Sequence, residues 1–210
     1  MTRLLRDDIV LGRRKPGARL VEREIAAELD VSRLPVREAI RALISEGIVV
    51  GRPRTWAVVR EFSVSDVRDF SEVRAAVESL LFVLATERHD ERQLAELLLL
   101  VEEEEEAARN SETERAQRLS GAFHEQIAVM AGNDLLMELI SLFSTRLKWV
   151  FGTTEDAPSM AADHRQLYEA MAVRDIGRVE GLVAEHLVIG EERARRLFEG
   201  PGSMTETPTG

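Results

Sequence analysis

The amino-acid sequence predicts a mainly α-helical protein, with an N-terminal winged helix-turn-helix domain followed by an all-α bundle of six helices. Three short helical segments and a hairpin pattern fill the first 60 residues, helical periodicity fills most of the rest, and the charge changes sign between the two parts. The expected domains are residues 1–62 and 63–199, followed by a disordered tail at 200–210. With 44% hydrophobic residues among 210, the chain can bury two small cores.

The charge pattern divides the chain into a basic head and an acidic body. Residues 1–60 carry 13 Lys/Arg against 8 Asp/Glu, and residues 61–210 carry 15 against 30. A phosphate backbone attracts the first part and repels the second, so a nucleic-acid partner is expected at one end only.

Composition excludes several classes of protein. The sequence has no cysteine, which excludes disulfides and thiolate sites for metals or catalysis. No apolar run approaches the roughly 20 residues that cross a bilayer, and no secretory signal opens the sequence. We therefore expect a cytoplasmic protein without a membrane partner.

The head contains three predicted helices and one predicted hairpin. The helices cover residues 2–11, 22–29 and 33–45, and the hairpin pairs residues 48–50 with 57–59. Ser32 is a good N-cap for the third helix, Pro35 suits its first turn, and Gly47 suits its end. Three helices followed by a hairpin form a winged helix-turn-helix.

The third helix has one apolar side and one guanidinium side. Its inward positions are Val36, Ala39, Ile40 and Leu43, whereas the opposite side carries arginine at positions 33, 37 and 41. In a winged helix-turn-helix this helix enters the major groove, where arginine binds guanine and phosphates. The alternative is that the arginine side of this helix is simply exposed to solvent and binds no ligand. The hairpin tip carries Arg52 and Arg54, which are expected on the DNA backbone or in the minor groove, and Trp56, which is expected to pack on the hairpin.

Residues 31–40 read Val-Ser-Arg-Leu-Pro-Val-Arg-Glu-Ala-Ile, and residues 16–20, 22–26 and 46–47 add further parts of one motif. This motif resembles the DNA-binding domain of GntR-family bacterial transcription regulators. The resemblance implies that the operator is contacted by Arg23, Ser32, Arg33 and Arg37. Leu34 takes a contact position where the family usually has threonine, so a contact through a hydroxyl is expected to be missing there.

The body is predicted to be a bundle of helices. They cover residues 64–88, 91–109, 112–131, 133–153, 157–174 and 176–199. The run of glutamates at 102–106 is interpreted as the exposed end of an amphipathic helix.

Three histidines lie on the inward sides of three of these helices. They are His124, His164 and His186. Imidazole nitrogens that converge in a bundle are a candidate site for a divalent ion such as zinc or nickel. A metal-free polar pocket built from the same imidazoles is the alternative. His89 lies near a helix end and is expected at the surface.

The body also resembles a known family, on residues 72–78, 123–133, 163–167 and 174–187. It is similar to the FCD ligand-binding domain of the FadR subfamily of GntR regulators. The resemblance implies a small carboxylic acid as effector. In metal-binding FCD domains an aspartate precedes the first histidine by one helical turn, and Ser120 stands there in this sequence. A hydroxyl is a poorer ligand than a carboxylate, so an effector carboxylate or water must complete the metal's ligands.

Two arginines of the body, Arg74 and Arg146, are candidate anchors for an effector carboxylate. A guanidinium group can bind both oxygens of a carboxylate at once. Pairing with Glu78 or another acidic residue of the body is the equally weighted alternative.

These observations predict a ligand-responsive transcription regulator, which we expect to repress. It is expected to bind an inverted-repeat operator in double-stranded DNA as a homodimer, because two heads related by a two-fold axis match operator symmetry. Effector binding would change operator affinity by favouring one arrangement of the heads. The alternative is a metal-dependent enzyme that uses the three histidines. The sequence spacing does not place an aspartate or glutamate as an evident general base beside these histidines. An enzymatic activity would also leave the basic head unexplained, so none is expected.

Overall fold

The computed structural model describes residues 1–52, 56–151 and 156–198, and these residues form ten helices and three strands. The elements are α1 Thr2–Val10, β1 Arg19–Leu20, α2 Glu22–Glu28, α3 Arg33–Ser45, β2 Val49–Gly51, β3 Ala57–Val59, α4 Val64–Arg88, α5 Glu91–Arg109, α6 Thr113–Ala131, α7 Asp134–Ser141, α8 Ser144–Phe151, α9 Ala157–Ala172 and α10 Ile176–Phe198. The mainly α prediction, with an N-terminal winged helix-turn-helix, is confirmed. Arg54 and the predicted tail at 200–210 lie outside the described residues.

The chain forms two compact units, and the first combines Met1–Phe62 with Leu139–Val150. The apolar sides of α1, α2 and α3 bury Leu5, Ile25 and Leu43. The predicted hairpin is joined by a strand that the sequence did not indicate, so the sheet is antiparallel with the order β1-β3-β2. β1 has only two residues, which is too short to show an alternating pattern.

The long helix predicted at 133–153 is broken, so the described body contains seven helices instead of six. The backbone amides of Leu142 and Phe143 bond to the carbonyls of Leu139 and Ile140, which is a tighter turn than an α-helix makes. Beyond this turn α8 belongs to the first unit, where Trp149 packs edge-on against Phe62 with ring centroids 4.9 Å apart.

A side-chain cluster ties α8 to the head within the first unit. Glu46 accepts hydrogen bonds from Arg6 Nε at 2.8 Å and from Arg6 Nη2 at 2.6 Å. The hydroxyl of Thr145 on α8 donates to the same carboxylate at 3.2 Å. The ion pair holds the pKa of Glu46 below its ordinary value, because the hydrogen bond from Arg6 favours the charged carboxylate.

The second unit contains Ser63–Glu138 and the described residues from Phe151 onward. α4 packs along α6 and α10, and α5 packs along α6 and α9. Capping boxes start both long helices, with Ser63 and Asp66 at α4 and Asp90 and Gln93 at α5. None of the helices within the described residues combines the length and the apolar character that a bilayer crossing requires.

His89 is buried, so the expectation that it lies at the surface is wrong. Its Nε2 lies 3.1 Å from the carbonyl oxygen of Met171 and donates to it. The side chain of Arg174 donates to the carbonyl oxygens of Thr86, Glu87 and His89 and so closes the C-terminal end of α4. The chain between α9 and α10 therefore covers a helix end that looks exposed in the sequence.

Candidate metal centre and nucleic-acid interface

The two sides of α3 differ as the sequence predicts. Val36, Ala39 and Leu43 have no exposed surface. The side chains of Arg33 and Arg37 are 61% and 42% exposed, and Arg41 is exposed beside them. The guanidinium groups are therefore available to a ligand outside the protein.

The arginines of α3 are held by carboxylates. Glu22, the first residue of α2, accepts from Arg37 Nε and Nη2 at 3.0 Å each and from Arg33 Nη2 at 3.2 Å. The hydrogen bond from Arg37 is the main reason that the pKa of Glu22 is lowered. The sequence did not indicate this role of Glu22, because it depends on how α2 and α3 meet, and no spacing within one helix reveals that.

The other predicted DNA contacts are also at the surface where the structure describes them. Arg23, Ser32, Leu34 and Arg52 are exposed. Ser32 occupies the N-cap of α3, but its side chain makes no capping hydrogen bond, contrary to the expectation for a good N-cap. The guanidinium of Arg19 lies 4.9 Å from the ring centroid of Trp56, so this tryptophan packs against β1.

The second unit brings the three predicted histidines together. His124 comes from α6, His164 from α9 and His186 from α10. One ring nitrogen of each lies within 4.8 Å of the others. The ring centroids are 5.2 to 5.3 Å apart. This spacing allows one ion to contact all three imidazoles, and we call these residues the histidine cluster.

His164 is the most constrained member of the histidine cluster. Its Nδ1 lies 2.7 Å from Glu104 Oε2, and its ring stacks on Phe123 at 4.1 Å. A carboxylate oxygen accepts, so Nδ1 carries a proton, and in the neutral form of the ring the lone pair is then on Nε2. Nε2 is buried and finds no hydrogen-bond partner among the described residues.

His186 is held by Arg74. The guanidinium Nη2 lies 3.2 Å from His186 Nε2, and because a guanidinium can only donate, Nε2 accepts. The proton of the neutral ring is then on Nδ1, which is buried without a partner in the described part of the chain. Burial is the main reason that the pKa of His186 lies well below its ordinary value, and the nearby charge of Arg74 lowers it further.

His124 and Glu78 complete the surroundings of the cluster. Burial lowers the pKa of His124 to about 3, although a quarter of its side chain remains exposed. Glu78 Oε1 accepts from Arg74 Nε at 2.8 Å, and its Oε2 lies 3.7 Å from His124 Nδ1. Burial would raise the pKa of Glu78, but the charge of Arg74 and the hydrogen bond that it donates outweigh this effect, and the pKa is lowered. The carboxylate is therefore ionised beside the neutral imidazole of His124.

The residues of the histidine cluster fit a divalent ion. Zinc and nickel bind neutral imidazole nitrogens, and the lowered pKa values of His124 and His186 keep these two rings free of an extra proton. The unpaired Nε2 of His164 and Nδ1 of His186 are buried polar atoms that such an ion could satisfy. Ser120, one turn before His124 on α6, offers only a neutral hydroxyl.

Sequence reasoning placed Glu104 in an exposed run of glutamates, and the structure corrects this. Its exposed fraction is only 2%, whereas Glu102, Glu103 and Glu106 are exposed. A signal was present: Glu104 continues the inward spacing of Leu97 and Val101, which are both fully buried.

The two candidate effector anchors lie in different units. Arg74 contacts the histidine cluster in the second unit. Arg146 lies on α8 in the first unit, where it donates to the carbonyl of Leu142 at 3.0 Å and packs against Gly47. Arg74 is therefore the candidate that the structure brings to the histidines.

An exposed row of arginines on the third helix of a winged helix-turn-helix, joined to a helical unit with buried polar groups, defines a DNA-binding transcription regulator. Two family models agree with this class. The model for bacterial regulatory proteins of the gntR family matches residues 2–59, and the FCD domain model matches residues 69–188. The chain belongs to the gntR family and carries an FCD domain, as the sequence resemblance predicted.

Relatives of the chain are transcription regulators. The HTH-type transcriptional repressor RspR of Escherichia coli strain K12 is 29% identical over 199 residues, which cover 93% of this chain and 87% of that protein. The Nta operon transcriptional regulator of Aminobacter aminovorans is 30% identical over 152 residues, covering 72% and 71% of the two chains.

Solved structures share the fold. The structure of E. coli McbR/YncC is similar with a TM-score of 0.82 at 22% identity, covering 94% of this chain and 96% of that one. A putative GntR transcriptional regulator from Rhodococcus sp. RHA1 has a TM-score of 0.75 at 26% identity, covering 92% and 94%.

Proposed function

We propose that the protein is a cytoplasmic repressor that binds an operator in double-stranded DNA through α3 and the hairpin of β2 and β3. The observation that carries this proposal is the exposed row of Arg33 and Arg37, whose guanidinium groups can reach guanine edges and phosphates. Repressors among the relatives, such as RspR and the probable D-xylose utilization operon transcriptional repressor of Paenarthrobacter nicotinovorans, support the direction of regulation. A metal-dependent enzyme would leave these arginines without a role, so we propose no catalysis.

A DNase I footprint on the DNA upstream of its own coding region tests the operator. We expect protection of two half-sites in inverted repeat. A protein that protects no segment of this DNA and selects no sequence from a random pool would contradict the proposal.

We further propose that the second unit binds zinc or nickel through His124, His164 and His186. The buried, unpaired nitrogens of the histidine cluster support this. Ser120 has no carboxylate, so the acidic ligand of the ion would come from an effector. When bound, the ion acts as a Lewis acid that a carboxylate can coordinate. Metal analysis of protein made without a polyhistidine tag tests the site. Substoichiometric metal that is unaffected by His164→Ala would refute it.

Metal binding has a consequence for Arg74. If His186 coordinates through Nε2, its lone pair is no longer available to Arg74. If it coordinates through Nδ1, the proton of the neutral ring moves to Nε2, which then faces the guanidinium as a second donor. In both cases the hydrogen bond of 3.2 Å between Arg74 and His186 is lost.

Arg74 would then be a buried cation with an unused N–H group. Its Nε remains bonded to Glu78, and its guanidinium remains over the ring of Phe151 at 4.7 Å. A small carboxylate that coordinates the metal and accepts from Arg74 satisfies both groups. The proposed effector is therefore a carboxylic acid that binds after the metal.

We propose a homodimer that uses one side of α4. Val73 and Leu80 are seven residues apart, so they face the same side, and they are 47% and 46% exposed. Val77 and Leu84, both partly exposed, continue this apolar stripe. A second copy of the chain is the occupant that the proposed inverted-repeat operator requires.

A further inference from the structure

Glu104 and His164 form an ion-pairing contact that is almost completely buried. Glu104 lies on α5 and His164 on α9, and their side chains are 2% and 0% exposed. Carboxylates are rarely buried to this extent unless they have a partner. The partner of Glu104 is His164, whose Nδ1 lies 2.7 Å from the carboxylate oxygen Oε2 and donates a hydrogen bond to it.

We propose that Glu104 is a positioning residue of the metal centre, which keeps His164 in the tautomer that can bind a metal. This inference rests on the proposed metal site. A neutral imidazole has one proton, and the carboxylate holds it on Nδ1, so the lone pair is on Nε2. Nε2 is the nitrogen of this ring that is buried without a hydrogen-bond partner among the described residues.

The orientation of the ring is held as well as its tautomer. Phe123 stacks on the His164 ring with an angle of 14° between the planes. The neighbouring rings of His124 and His186 lie on other sides at centroid distances of 5.2 Å. Rotation of the ring would break the hydrogen bond to Glu104, so the carboxylate and Phe123 together direct Nε2 towards a shared ion.

Glu104 also affects how strongly the His164 imidazole can bind a metal ion. A carboxylate that accepts from the far nitrogen of a metal-bound imidazole makes the coordinating nitrogen more basic. Without it, the ring would populate both tautomers, and the Nε2–H form cannot coordinate through Nε2.

Glu104→Gln tests this, because the amide keeps the size of the side chain and removes its charge. Glu103→Gln, at an exposed position of the same helix, is the matched control. Imidazole nitrogen NMR of chelator-treated wild-type protein should show His164 protonated on Nδ1. Competition with a chromophoric chelator should show zinc affinity about 10- to 100-fold lower in Glu104→Gln and unchanged in Glu103→Gln.

Each contrary result has a distinct meaning. Wild-type protein that does not bind zinc overturns the proposed metal site and with it the role of Glu104. Wild-type protein that binds zinc while Glu104→Gln binds it equally well overturns the role of Glu104 alone. An Nε2–H tautomer at His164 in the wild-type protein also overturns that role, and this measurement does not depend on the folding of any variant.

Discussion

Glu22 on α2 and Arg37 on α3 are joined by two parallel hydrogen bonds of 3.0 Å, so one carboxylate orients the central guanidinium of the proposed DNA-binding face. The same carboxylate reaches Arg33 at 3.2 Å. Ion pairs at an exposed surface contribute little to stability, and a phosphate or guanine can compete with Glu22. The pairing therefore orders the arginines without making them unavailable.

Replacing Glu22 should change selectivity more than folding. In Glu22→Gln the negative charge that competes with phosphates is lost, so affinity for non-specific DNA should rise several-fold. The guanidinium groups also lose their fixed orientation, so the ratio of operator to non-specific affinity should fall. Fluorescence anisotropy with both DNAs at one salt concentration measures this. Glu28→Gln, which removes a carboxylate paired with Arg14, is the control, and an unchanged ratio in Glu22→Gln would contradict the prediction.

Stability of the metal-free protein should fall as the pH falls below about 6.5. His124 has a folded-state pKa of about 3, and that of His186 is also far below its ordinary value. The unfolded state therefore binds more protons than the folded state in acid, so stability is fully present above pH ~6.5 and is lost below it. The slope is about 1.4 kcal/mol per pH unit for each histidine.

Urea unfolding at pH 7.5 and 5.5, in the presence of a chelator, measures this dependence. His124→Gln should show a smaller change between the two pH values than the wild-type protein. Equal free energies of unfolding for the wild-type protein at both values would contradict the neutral burial of these histidines.

Arg74→Gln should separate metal binding from carboxylate binding. The variant removes the donor that occupies His186 and a positive charge beside the proposed ion, so zinc affinity should be equal or higher. The increase in zinc affinity that succinate causes in the wild-type protein should be lost. Isothermal titration with zinc, with and without succinate, measures both effects. Arg165→Gln, which breaks an ion pair with Glu105, should behave like the wild-type protein, and retention of the succinate effect in Arg74→Gln would refute the anchor.

Leu80→Glu should separate the proposed dimer into monomers. A charge in the middle of an apolar contact must be buried without a partner, which costs far more than an exposed substitution. Sedimentation velocity over a range of protein concentrations shows the change. Leu99→Glu on α5, which is exposed as well, is the control. A Leu80→Glu protein that sediments as the wild-type dimer would place the interface elsewhere.

Local signals predicted many helix boundaries well. α4 and α5 begin and end where the sequence placed them, because Ser63 and Asp90 cap their first turns. The convergence of the three histidines was also predictable, since each continues an apolar stripe of its own helix.

Other features depend on contacts between distant segments. The break before α8 leads Trp149 to Phe62, and no periodicity within residues 133–153 shows that destination. Glu22 acts across two helices, and the partner of Glu104 is His164, which is 60 residues away in sequence and adjacent in space. His89 is covered by the segment around Arg174. Charge runs and helix ends are usually exposed to solvent, and the tertiary fold overrides that tendency at Glu104 and His89.

The arginines of α3 are the residues that we propose to bind the operator. Anisotropy titrations with the footprinted DNA should show operator affinity at least about 30-fold lower in the double variant Arg33→Ala/Arg37→Ala, since each arginine contact to a base contributes about 1–3 kcal/mol. Arg92→Ala, which removes an exposed, glutamate-paired arginine from α5, should leave the affinity unchanged. Equal operator affinity of the double variant and the wild-type protein would contradict the claim.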